Sequence, residues 1–184
     1  MGDIRQVVPV KLFCGLIFVA DQPFAPIEKK LCNLFGDIDY DAGPMPFDFT
    51  DYYEKEMGCN LKRRFIAFKN LINPEMLADV KLATNRIEQE LGELTVDGLK
   101  RRVNIDPGYV TPAKTVLATT KDFSHRIYLR DGIYAEVTLN FRKGACSCME
   151  WTYPDFKTKE YHQFFLGVRR LLTATIERHE KETI

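Results

Sequence analysis

The sequence predicts an α+β fold: a mostly antiparallel sheet of about six strands, with helices packed on one face and around its ends. Three observations carry this. From Ile133 to Phe141 the chain alternates strictly, with Ile133, Ala135, Val137, Leu139 and Phe141 on one face and Tyr134, Glu136, Thr138 and Asn140 on the other. Period two with one apolar side is a half-buried antiparallel strand. Near the start, Val7 to Ala20 contains the nearly continuous apolar run Val10 to Val19, as a central strand buried on both faces would. Near the end, Lys157 to Glu177 repeats at helical spacing, with Tyr161, Phe164, Phe165, Val168, Leu171, Leu172 and Thr175 on one stripe. That helix is expected to cover the apolar face of the last strands.

The elements follow in order. After the first strand, Pro26 to Phe35 places Ile27, Leu31 and Leu34 at helical spacing, with proline in the first turn and Gly36 as the stop. Gly36 to Asp48 is acidic and turn-rich. Its Asp37, Asp39, Asp41 and Asp48 resemble EF-hand offsets, but the glycine falls one position late and Pro44 intrudes, so a solvated loop is expected rather than a calcium site. Phe47 to Gly58 mixes aromatics with acids, and Tyr52-Tyr53 read as the edge of the core. Arg63-Arg64 precede a strand at Phe65 to Phe68. Asn73-Pro74 then opens a helix, as N-cap and first-turn proline, whose stripe is Met76, Leu77, Val80, Ala83, Ile87 and Leu91.

Thr95 to Lys100 reads as a linker inside the domain. Arg101 to Asp106 is a strand, with Val103 and Ile105 inward and Asn104 and Asp106 on the other face, ended by Pro107-Gly108. Thr111-Pro112 suggests a short helix to about Ala118, with a strand from Thr115 as the alternative. His125 to Leu129 is a strand joined to the alternating one by Arg130-Asp131-Gly132. A three-residue loop sets Leu129 opposite Ile133, Ile127 opposite Ala135 and Tyr128 opposite Tyr134, and places Arg126 across from Glu136. A second such loop, Arg142-Lys143-Gly144, would set Phe141 opposite Ala145 and bring Glu136 beside Glu150.

Composition bounds the function. At 184 residues the chain is most simply one domain, residues 1–184. Its 26 basic and 26 acidic residues balance, so no net field draws it to nucleic acid or an anionic membrane. Basic residues are not interleaved with stacking aromatics as nucleic-acid binding requires. The apolar run near the start is too short to span a bilayer. Five cysteines, an odd number, without a signal-peptide pattern give the expectation of a cytoplasmic protein with free thiols. Cys146-x-Cys148 lies on one strand face, but zinc needs four donors and no second pair accompanies it, so buried thiols and no metal are expected.

The segments NIDPGY, VLATTKD, HRIYL, GIYAE, WTYPDF and FDFTDYYEKEMG resemble the bacterial and archaeal family called domain of unknown function 4416, over nearly the whole chain. The resemblance brings no established activity. Some relatives carry a GTP-binding label, yet the chain has neither a GxxxxGK[ST] phosphate loop nor an Asn-Lys-x-Asp base-reading motif, which argues against a conventional GTPase.

Catalytic motifs of known order are missing: no Ser-His-Asp arrangement, no glycine-rich dinucleotide loop and no HExxH helix. The strongest constellation gathers Asn104, Asp106, Lys114, Lys121, His125, Arg126, Tyr128, Tyr134 and Glu136. Lys114, Lys121 and Arg126 suit a phosphate or carboxylate, helped by amide donors of a helix near Pro112. Asn104, Tyr128 and Tyr134 would complete the binding surface. Asp106, His125 or Glu136 suits a base, and the carboxylates a magnesium ion. The expectation is a small anionic ligand, phosphorylated or nucleotide-like, on the polar sheet face, whether bound or acted upon. The alternative is an interaction module whose tyrosine-rich face docks a protein partner or a second copy of the chain.

Overall fold

A computed structural model describes residues 2–4, 6–96 and 98–182. The α+β class is borne out, with eight strands in the main sheet against about six expected. The elements are β1 (Val10–Val19), α1 (Phe24–Phe35), β2 (Ile38–Pro46), α2 (Glu54–Met57), β3 (Leu61–Ile72), α3 (Leu77–Glu90), β4 (Glu93–Thr95), β5 (Gly98–Lys100), β6 (Val103–Val110), β7 (Lys114–Thr119), β8 (Ile127–Arg130), β9 (Ile133–Arg142), β10 (Ala145–Cys148) and α4 (Lys159–Glu182). The sheet runs β10-β9-β7-β6-β1-β3-β2, with β8 also paired to β9, and every pairing is antiparallel. β4 and β5 form a separate hairpin where a linker was expected.

β1 lies at the centre because its apolar residues alternate between two covered faces. Leu12, Cys14, Leu16 and Phe18 pack with α1 and α3 through Ile27, Leu31, Val80 and Ile87. Phe13 points the other way, into Phe164, Phe165, Val168 and Leu172 of α4. α4 therefore spreads its aromatic stripe over the middle of the sheet rather than over the last strands alone. α3 opens as expected: Asn73 accepts the amide of Glu75, and Pro74 begins a 3-10 turn that runs into the helix.

Several local expectations are corrected. The acidic stretch after α1 is no loop. It is the edge strand β2, where Asp39 pairs with Lys11 at 2.7 Å and Asp41 with Arg64. β3 begins at Leu61, so Arg63 and Arg64 lie inside it. β6 continues through Pro107-Gly108: it pairs with β1 along its length but with β7 only from Gly108, so the proline sits where one edge is open. Pro112 opens no helix. Thr111 Oγ1 accepts the amides of Ala113 and Lys114 in a tight turn, and the β-branched run that follows is β7.

The hairpins use two-residue turns. Asp131 and Gly132 (φ 52° and 74°), and Lys143 and Gly144 (φ 50° and 77°), are all left-handed, the type I′ geometry that matches strand twist. In the first hairpin Leu129 bulges out between Tyr128↔Tyr134 and Arg130↔Ile133, which restores Ile127 opposite Ala135, although Ile127 is 70% exposed and burial does not account for that register. In the second, Phe141 faces Cys146 rather than Ala145. β10 ends at Cys148, and Glu136 never meets Glu150.

Strict alternation along β9 also fails. Thr115 pairs with Leu139 but Val116 with Val137, leaving Thr138 as a bulge. Upstream, Ile133, Ala135 and Val137 pack under α3; downstream, Leu139 and Phe141 pack under α4. Glu136 thus stands opposite Leu117, on the face that α4 covers further along.

Candidate functional site

A cleft of about 700 Å³ opens where β3, β6, β7 and β9 meet the segments 47–53 and 153–156, with α3 along its side. The fold delivers charge to it from several elements: Arg63 of β3, Lys81 and Glu88 of α3, Arg101, Asn104 and Asp106 at the start of β6, Lys121 after β7, Glu136 of β9, and Asp155 in the turn before α4. Phe47, Phe49, Tyr52, Tyr53, Tyr153 and Phe156 supply an aromatic wall.

Of the expected residues, the structure brings Asn104, Asp106, Lys121 and Glu136 to the cleft. Arg126 and His125 stand behind Glu136, which is 2% exposed: Arg126 Nε donates to its Oε2 at 2.8 Å and His125 Nε2 lies 3.2 Å from the same oxygen. The Arg126–Glu136 pairing proposed from register is present, but on a buried rather than an open face. Arg126 also donates to Lys121 O at 2.9 Å and Tyr153 Oη at 2.6 Å, fastening the 121–126 loop to the far wall. The His125 ring stacks on Trp151 at 5.0 Å. Glu136 with its two donors is therefore a positioning unit.

The other expected residues are elsewhere. Lys114 is exposed at the opposite end of β7, facing Asn140, and the stretch at Pro112 expected to start a helix is a turn into that strand. Tyr128 and Tyr134 pair edge to face at 5.3 Å on the β8–β9 hairpin, outside the cleft.

Most cations around the cleft are committed. Lys81 donates to Ile105 O at 2.8 Å, and Glu88, which receives the amide of Ile105 at 2.7 Å, lies 4.0 Å from it. Arg101 grips both oxygens of Glu56 at 2.6 Å and reaches Glu88 at 3.2 Å and Asn104 at 3.0 Å. Lys121 Nζ sits 2.9 Å from Tyr52 Oη.

Arg63 differs. Its side chain is 2% exposed, yet the nearest carboxylate oxygens, Asp106 Oδ2 and Asp155 Oδ2, stand at 3.8 and 3.7 Å, beyond hydrogen-bond range. Its Nε is buried without a partner. Aromatic rings hold it instead: the guanidinium carbon lies 4.5 Å from the centroid of Phe65, 5.4 Å from Phe156 and 5.7 Å from Tyr161. Gly15 makes the room, since a Cβ there would come 3.1 Å from Arg63 Nη2 and 2.9 Å from the Phe65 ring.

Burial sets the acid–base character of the cleft. Loss of water pushes the carboxyls of Glu88 and Asp155 above their ordinary values, against the opposing pull of Lys81 and Arg63 respectively. It raises the Tyr53 phenol, and that of Tyr153 to about 12. Asp106 Oδ2 accepts from Asn104 at 2.8 Å while Oδ1 lies 3.6 Å from Lys81. Asp106 and Asp155 are the carboxylates that flank Arg63, at 3.8 and 3.7 Å.

Among the described residues, no three His, Cys, Asp or Glu side chains converge as a metal ion needs, so the carboxylates present no such set for magnesium. Cys146 is half-buried and Cys148 exposed, rather than both buried. His162, on the distant final helix by sequence, lies 3.7 Å from Cys148 Sγ.

Sequence reasoning missed Arg63, Lys81 and Glu88 as site residues, while Tyr153-Pro154-Asp155 reads as a cap of the last helix with Asp155 open to the same site. One signal was available: a glycine in the middle of a continuous apolar strand marks a close approach. Alternation of Leu61, Arg63 and Phe65 would then have turned Arg63 inward.

Fold and site together define an α+β protein whose single large antiparallel sheet carries a charged, aromatic-walled cleft of small-molecule size. The chain belongs to the family described as domain of unknown function (DUF4416), whose family model matches residues 8–171. No curated protein and no solved structure matches it. Among the described residues no helix is long and apolar enough to cross a membrane.

Proposed function

We propose that this protein binds a small molecule through an anionic group seated on Arg63, within the cleft rather than on an open sheet face. The observation that carries this is the Arg63 guanidinium, buried against aromatic rings beside a cleft of about 700 Å³, with its Nε unpartnered and its two carboxylate neighbours beyond hydrogen-bond range among the described residues. Planar guanidinium groups take carboxylates and phosphates by paired hydrogen bonds, and stacking leaves that edge free for them. Asp106 and Asp155 flank the seat and are the groups that would accept or move a proton if the bound molecule reacts. Glu136, His125 and Arg126 hold the 121–126 loop that forms one wall.

A thermal-shift panel of inorganic phosphate, nucleotides and small carboxylates tests it on wild type and Arg63→Met. A ligand at one hundred times its Kd stabilises by about 2.7 kcal/mol. Stabilisation of wild type that vanishes in the variant is expected; a flat panel, or one the variant shares, overturns the reading.

A second reading, self-association, is favoured by β8. Ile127 is 70% exposed and Tyr128 57%, on an outer strand that carries no lysine or proline to discourage pairing. Sedimentation velocity checks it, and a monomer at all concentrations would exclude it.

A further inference from the structure

The surroundings of Arg63 narrow the kind of molecule that fits, granted the reading of Arg63 as the anion seat. Four other cations stand in or behind the cleft, and each already donates a short hydrogen bond: Lys81 to Ile105 O, Arg101 to Glu56, Lys121 to Tyr52, Arg126 to Glu136. Among the described residues, Arg63 alone of these five cations donates no hydrogen bond, while Lys121, held only by the neutral phenol of Tyr52, stands exposed at the rim. On either side of Arg63, at 3.8 and 3.7 Å, stand the carboxylates of Asp106 and Asp155. A phosphate ester, carrying nearly two negative charges, would be drawn to one guanidinium and repelled by two carboxylates at similar range. A carboxylate alone would suffer half that repulsion. A carboxylate with an ammonium group on the neighbouring carbon turns the repulsion into attraction. Its anion meets Arg63, and its cation lies between acceptors that have capacity left.

Burial points the same way. Asp155 is nearly inaccessible to water and its carboxyl is pushed upward by that burial, so a cation arriving beside it would replace solvation that the fold removed. The rest of the cleft is aromatic. Phe47, Tyr53 and Tyr153 face a space larger than an amino and a carboxyl group together can fill, which suits an apolar or aromatic substituent.

We propose that the cleft takes a zwitterion of the free amino acid class, carboxylate on Arg63, ammonium between Asp106 and Asp155, and an apolar side chain along the aromatic wall.

Three probes of one skeleton separate the possibilities: phenylalanine, 3-phenylpropionate, which lacks only the ammonium, and phenyl phosphate. Each is titrated calorimetrically into the full chain, wild type, Arg63→Met, Asp155→Asn and Asp106→Asn, with circular dichroism as the check on folding. Wild type is expected to bind phenylalanine at least tenfold more tightly than either other probe. Asp155→Asn should bring phenylalanine and 3-phenylpropionate within about threefold of each other, and Asp106→Asn gives the same reading if Asp155→Asn fails to fold. Arg63→Met should bind none. If 3-phenylpropionate or phenyl phosphate binds as well as phenylalanine, and still requires Arg63, the zwitterion is wrong and the anion seat stands. If no probe binds, or binding ignores Arg63, both fall.

Discussion

Replacing Arg63 by methionine distinguishes a residue kept for binding from one kept for stability. Each of its ion pairs, at 3.7 and 3.8 Å, is worth about 4 kcal/mol of gross attraction at an effective dielectric constant near 20. Methionine relieves the desolvation of Arg63 alone, several kcal/mol, and leaves Asp106 and the buried Asp155 without their cation. Methionine keeps most of the packing against Phe65 and Phe156, and its sulfur recovers about 1 kcal/mol of aromatic contact. The expected loss is about 3–5 kcal/mol, the usual cost of leaving a buried charge without its partner. Glu136→Gln is the contrast. Its carboxylate takes Arg126 at 2.8 Å and His125 at 3.2 Å, and charged hydrogen bonds of that kind contribute about 1.5–3 kcal/mol. Urea unfolding followed by circular dichroism measures both. Phenylalanine at saturation should stabilise wild type but not Arg63→Met; a gap between the two proteins that the ligand leaves unchanged would refute the argument that the guanidinium waits for one.

Other outcomes follow from the same geometry. Gly108→Ala puts a Cβ 2.3 Å from Val116 O and 2.6 Å from the Phe13 ring, so the β6–β7 ladder must shift, with an expected loss of about 2–3 kcal/mol in urea unfolding. The Arg101 guanidinium holds Glu56 below the ordinary carboxylate value of 4.5, chiefly by its hydrogen bonds. That contribution is present above pH 4.5 and lost as pH falls through the depressed value, so wild type and Glu56→Gln should converge in stability under acid; a constant gap from pH 7 to pH 3 would contradict it. If copies pair along β8, Ile127→Lys should abolish the dimer in sedimentation velocity without changing the melting temperature by more than about 2 °C.

The sheet was legible where burial and local chemistry agree. β1 and the α4 stripe show the periods their burial demands, and Asn73-Pro74 marks a helix start because cap and first turn are local. The misreadings arise where geometry overrides pattern. Pro107-Gly108 looks like a break but is continuous strand, because one edge beside it is open and Phe13 and Val116 crowd the glycine. Thr111-Pro112 looks like a cap but is an ST turn. The bulge at Thr138 leaves no mark in an alternating sequence, yet it decides which face Leu139 joins. The Arg126–Glu136 contact was expected from a three-residue loop; the structure reaches it instead through a two-residue turn and a bulge at Leu129. Arg63, Lys81 and Asp155 come from three elements far apart in the chain, and only the packed sheet brings them together.

The most direct measurement is NMR of the Arg63 side chain, its N–H resonances assigned by their disappearance in Arg63→Met. Titration with glycine, the simplest molecule carrying both charges, and with acetate should move those resonances saturably while exposed arginines such as Arg130 stay still. Resonances of Arg63 that stay unmoved to the highest concentrations, or that move only as the surface arginines do, would contradict an anion seat in the cleft.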